Sequence, residues 1–120
     1  MQRINKEVYR ILEAALPNKT GIYPAFAIDD VRFPFVVYNC DSFAPERTKD
    51  GTYRYRMQYS VEVYSDKFDQ SDNLADRVMK AFDEMESEII RRITLTEGAS
   101  VHDESFCHIL KFELLVYESQ

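Results

Sequence analysis

Glycine is scarce in this chain, at 3 residues in 120. A loop that wraps phosphate groups in backbone N–H needs several glycines at fixed spacing, so GxGxxG and P-loop sites are excluded. GxSxG and HExxH are also missing. Cysteine is limited to Cys40 and Cys107. Two are too few for a disulfide framework, which makes a reducing compartment the simpler expectation. No apolar run reaches the 18 or so residues that span a bilayer. The first 16 residues alternate charge with apolar side chains, so no signal peptide is expected there. Basic residues are in deficit, with 15 Lys and Arg against 21 Asp and Glu and a formal charge of −6. Gripping nucleic acid needs clustered cations, and this balance argues against it.

What is present suits one globular α+β domain over residues 1–120. The hydrophobic fraction is 45% and the charged fraction 30%. Size scaling gives about 6,700 Å² of folded surface and about 20,000 Å² unfolded, enough burial for a core without staples. Ile4, Val8, Ile11, Leu12, Ala15 and Leu16 recur at helical spacing and predict a helix over 3–16, stopped at Pro17. Gly21 to Pro24 reads as a short edge strand, because proline has no N–H for a central ladder. Phe35 to Cys40, rich in β-branched and aromatic residues, reads as a strand. Residues 41–53 are polar and contain Pro45 and Asp50-Gly51, which predicts a long loop between strands.

Strict alternation follows. Tyr55, Met57, Tyr59, Val61 and Val63 share one face and Arg54, Arg56, Gln58, Ser60 and Glu62 the other, as in a half-buried antiparallel strand. Asp66 to Asp69 offer N-caps for a helix whose stripe is Leu74, Val78, Ala81, Phe82 and Met85, ending near Ser87. Residues 92–96 predict a strand, 97–100 a turn, and 106–117 a long strand with Phe106, His108, Leu110, Phe112, Leu114 and Val116 on one face. The expected fold is a mainly antiparallel sheet of four to five strands, with two helices packed on one face.

The reactive residues do not assemble into a motif. Cys107 and His108 are adjacent on a strand and point to opposite faces. Cys40, Cys107, His102 and His108 lack the CxxC or HxxxH spacing of a zinc site. Asp29-Asp30, Asp66/Asp69 and Asp103-Glu104 read as solvated acids. Tyr53, Tyr55 and Tyr59 beside Arg54 and Arg56 could suggest base stacking. The tyrosines and arginines fall on different faces, however, which favours a core or a subunit interface. No residue is assigned a catalytic, cofactor-binding or metal-binding role, and no cofactor or enzyme activity is expected.

Taken in order, an N-terminal helix, Ile22-Tyr23-Pro24, FPFVVYN at 33–39, YRYRMQYSVEVYSDKFDQSDNLADRVMKAF at 53–82 and LKFELLVYES at 110–119 resemble the tail-completion (tail-terminator, head–tail joining) proteins of bacteriophages and prophages. The strand-into-helix block, with Phe68 and the LADxV pattern at 74–78, is the most specific part. The resemblance implies a structural protein located at the tail–head junction of the virion, and in the bacterial cytoplasm during assembly. It implies a ring, often hexameric, that caps the tail tube and presents a surface to the head connector. Its partners are then copies of itself, tail-tube and connector proteins, and DNA only as it passes through the lumen, with no membrane. Glu46, Arg47, Lys49 and Asp50 in the polar loop are the candidate contacts, since mixed charge sets register at an interface. The alternative is a small intracellular α+β module that recognises a metabolite or a protein.

Overall fold

The apolar stripe of the first segment forms α1 (Gln2–Ala15), which buries Ile4, Val8, Ile11 and Leu12. In this computed structural model the described residues are 2–26, 31–47, 49, 51 and 53–117. After α1 come β1 (Gly21–Pro24), β2 (Phe35–Arg47), β3 (Tyr53–Ser65), α2 (Phe68–Asp83), β4 (Ile90–His102) and β5 (Phe106–Tyr117). The class is α+β, with one five-stranded sheet in the order β1-β2-β3-β5-β4. β1 runs parallel to β2, whereas the β2–β3, β3–β5 and β4–β5 pairs are antiparallel. The sheet is therefore mixed. The connection from Pro24 returns the chain to the end of the sheet where β1 began, so β2 must run alongside β1.

Both helices lie over the sheet face that carries Val36, Tyr38, Met57, Tyr59, Val61, Val63, Leu110, Phe112 and Leu114. Cross-strand rows such as Tyr38–Val61–Leu110 pack beneath Leu74, Val78 and Phe82 of α2. Tyr59 donates its buried hydroxyl to Asn5 Oδ1 at 2.6 Å, which ties α1 to β3. The expected alternation of β3 is observed, with Met57, Tyr59, Val61 and Val63 all buried.

Three boundaries differ from the expectation. Residues 41–47 and 53 are strand, not loop, so β2 and β3 are 13 residues each and only 48–52 remain to join them. The polar composition misleads because a bulge between Cys40 and Ser42 accommodates Asp41, whose carboxylate accepts from Asn39 Nδ2 and Ser60 Oγ. Pro45 is tolerated because β1 covers β2 only from Phe35 to Tyr38, leaving the rest of that edge open. Gly51 has φ 87°, a left-handed conformation that suits glycine in the connecting turn. Likewise Glu97-Gly98-Ala99-Ser100 is not a turn but part of β4, which passes it with a bulge at Thr96 and turns at 103–105. Thr96 Oγ1 donates to the Lys111 carbonyl at that bulge.

The helix α2 ends at Asp83, short of Ser87. Glu84, Glu86 and Glu88 would place three acids at the negative end of the helix dipole. Ser87 instead accepts the N–H groups of Ile89 and Ile90 and starts β4. At the other end the N-cap position is Lys67, without a side-chain cap, and not an aspartate. Ser65 Oγ accepts the Lys67 N–H in the turn before the helix, while Asp69 sits in the first turn where the dipole favours an acid.

Extending two hairpins past the helices makes the molecule long, 50 × 27 × 24 Å. Its radius of gyration of 14.9 Å exceeds the roughly 13.6 Å expected for a compact chain of this length. The surface of 7870 Å² is correspondingly larger than the scaling estimate. No described helix is long and apolar enough to cross a membrane.

Candidate functional site

The distal half of the β2–β3 hairpin, residues 43–47 and 53–57, forms an arm with two unlike faces. On the face away from the helices, Glu46 accepts from Arg54 Nε at 2.8 Å and Arg56 Nε at 2.5 Å. Arg56 also donates to Glu113 at 2.7 Å, and Gln58 Nε2 donates to the same carboxylate at 3.1 Å. This ladder crosses β2, β3 and β5 and locks the arm's register. On the helix side, the rows Phe43–Met57, Pro45–Tyr55 and Arg47–Tyr53 place apolar and aromatic side chains together. Met57 is covered by the helices, but Phe43 remains 54% exposed and Tyr53 38%.

The four candidate contact residues are thus not one patch. Glu46 is committed to Arg54 and Arg56 on one face. Arg47 lies on the other, with its guanidinium 5.7 Å from the Tyr53 ring centre. Lys49 is exposed in the turn, and Asp50 lies outside the described residues. Phe43 was missed because 41–53 reads as a loop; Tyr53, expected in a core or a subunit interface, lies on the same exposed underside. Extending the β3 alternation back to Tyr53 calls for an equally long partner strand, and that signal was available.

Hydrogen bonds from Arg54, then Arg56, hold the Glu46 carboxyl below the usual carboxylate range. A carboxylate with a depressed folded pKa contributes stability above its unfolded pKa, and that contribution is lost as pH falls through the folded value. Acidification should therefore loosen the arm before the body. Amide exchange at 43–47 and 53–57, corrected for intrinsic rates, should rise on acidification relative to 61–63. In Glu46→Gln that differential should vanish; a differential of unchanged size in this variant would contradict the assignment.

A second polar group, also missed, joins α2 to β5. Ser71 Oγ lies 2.7 Å from His108 Nδ1, and His108 Nε2 lies 2.9 Å from Asp72 Oδ1. The Asp72 carboxylate only accepts, so Nε2 carries a proton, and the Ser71 hydroxyl also reaches the Phe106 carbonyl at 3.3 Å. The constellation has the members of a hydrolytic triad, but Ser71 is 0% exposed and its hydroxyl cannot meet a substrate. Its role is to fix the first turns of α2 on the sheet. Sequence spacing could not find it, since residues 71 and 108 meet only through packing.

The thiols stand apart. Cys40 is in the row with Tyr59, on the helix side, while Cys107 is beside Tyr64 on the opposite face. Burial pushes both thiols up, away from the reactive thiolate. Asp66, Asp69, Asp103 and Glu104 are solvent-exposed, and Asp29-Asp30 lie outside the described residues. A 590 Å³ groove between the helices is lined by Arg10, Ala14, Ala15, Arg77, Lys80 and Glu84 among others. Arg10 is turned to Glu7 and the Glu86 carbonyl, and Arg77 to Asn73 and the Ala15 carbonyl. Its guanidinium groups are therefore partnered within the chain, whereas a metabolite site presents convergent polar groups to the ligand.

No protein-family model matches the chain, and no curated protein matches it.

Proposed function

We propose that this chain is a structural tail-completion protein of a bacteriophage or prophage, acting in a ring that caps the tail tube and joins it to the head connector. The observation that carries this reading is the arm: an ion-paired hairpin whose helix-side aromatics Phe43 and Tyr53 face solvent in the single chain. Exposed aromatics beside cations are characteristic of surfaces that meet another protein. The sequence resemblance supplies the identity of the assembly. An overall charge of −6 suits a ring traversed by DNA, since like charge keeps the moving polymer from adhering.

Replacing residues 46–50 with a Gly-Ser segment removes the ion pairs of Glu46 and the cations Arg47 and Lys49. The expected result is a folded monomer that no longer forms rings, and tails of uncontrolled length in a phage assembly assay. Light scattering and negative-stain microscopy read the first outcome and tail-length distributions the second. Normal rings and tails from this variant would remove the arm from the interface. Failure of the unmodified chain to form rings or to associate with tail tubes under any condition would overturn the functional reading itself.

A further inference from the structure

The arm has a complementary surface on the opposite edge of the same sheet. Between α2 and the outer strand β4 runs a groove of about 350 Å³, lined by Met79, Lys80, Phe82, Asp83, Ile93, Leu95 and Phe112. Leu95 is 45% exposed there, an apolar side chain facing solvent above the buried Phe112. The surrounding segment is strongly acidic: residues 66–88 hold eight Asp and Glu against three Lys and Arg, a net −5. Residues 43–57 of the arm hold four Lys and Arg against two acids; Arg54 and Arg56 lie on the far face with Glu46, which leaves Arg47 and Lys49 for the helix side and the turn. One surface is aromatic and cationic; the other is apolar, carries both Asp83 and Lys80, and is bordered by an acidic segment.

The two cannot meet within one chain, because β3 and β5 lie between them. Three strand spacings put about 14 Å of sheet between β2 and β4. They do lie at one level. The pairing row Phe43–Met57–Leu114–Ile93 crosses the sheet from arm to groove. Both also belong to the helix side. A neighbour placed beside the sheet, with little rise along the strands, would bring its arm to this groove.

We infer that the arm of one copy docks, through Phe43, Tyr53, Arg47 and Lys49, into the α2–β4 groove of the next copy. This rests on the ring reading above and deepens it by naming the two halves of the contact. The contact is heterologous, joining unlike patches, and a sideways step with little rise is the kind that closes into a ring in preference to climbing into a filament. Edge-to-edge strand pairing suits the same two edges less well. Pro45 and the bulge at Asp41 interrupt the open edge of β2, and two register shifts interrupt β4. Side chains, not backbone ladders, are left to make the join.

Two variants test it, both altering exposed positions: an arm variant, Phe43→Ser with Arg47→Ser, and a groove variant, Leu95→Ser with Asp83→Ser. Circular dichroism should show both folded. Each alone should need at least about tenfold more protein to assemble. Mixed in equal amounts, they should form a 1:1 dimer and nothing larger, because each pair retains one intact arm and one intact groove. Mass photometry or light scattering with mass analysis reads this directly. Rings from either variant at the unmodified protein's concentration, or a mixture that stays monomeric, would overturn the arm–groove contact while leaving the ring reading in place. An unmodified chain that never assembles would overturn both.

Discussion

Val61→Asp should unfold the protein or cost at least about 4 kcal/mol, because a carboxylate would replace an apolar side chain in the centre of the core. Val61 is 0% exposed and stands between Tyr38 on β2 and Leu110 on β5, under α2. The site offers no cation to pair with the new charge, and the helices above it exclude water. The neighbouring Glu62 points to the other face and is partly exposed. Glu62→Gln should cost less than about 0.5 kcal/mol. Urea melts of the two variants test the register of the central strand. Because a one-residue slip exchanges the faces of the whole strand, equal damage from both substitutions would refute it.

Phe112→Ala should be nearly as severe, at about 3–5 kcal/mol, with a melting temperature lower by roughly 10–20 °C. The ring is 1% exposed and meets Phe82 of α2 edge-on, with centroids 4.6 Å apart. Truncation loses both the transfer free energy of the ring and the contacts of the cavity left behind. The sheet and α2, each held by its other contacts, can only partly close that cavity. Phe68→Ala is the control. Phe68 is 50% exposed at the start of α2, beside Phe106 and His102 at the end of the sheet. Its truncation should cost less than about 1 kcal/mol. A comparable loss from both, measured by thermal melts, would mean that the core does not centre on the α2–β5 contact.

These two experiments probe what was readable from the chain itself. Helix α1 was legible from Ile4, Val8, Ile11 and Leu12, since a sustained 3.6-residue period is the mark of one buried helix face. The face of β3 was legible from the alternation of Met57, Tyr59, Val61 and Val63 with polar residues. The same reasoning placed Leu110, Phe112, Leu114 and Val116 on the core side of the last strand. In each case the burial pattern is written into neighbouring residues, so local reading suffices. The α+β class followed from the order of these elements.

Tertiary structure decided what local pattern could not. Residues 41–47 have turn chemistry, yet they are strand because Arg54 and Arg56 on β3 satisfy Glu46, and Arg56 in turn is held by Glu113 on β5, which keeps the hairpin closed. Residues 97–100 are strand because β5 offers a full-length partner, whatever the propensity of Glu97-Gly98. The Ser71–Asp72–His108 group forms across 37 residues of chain, and the arm and groove lie on opposite edges of one sheet. Sequence periodicity records which side of its own element a residue buries; it carries no record of which distant element supplies the partner. Pairing partners, edges and complementary patches are set when strands choose neighbours, and that choice depends on long-range contacts.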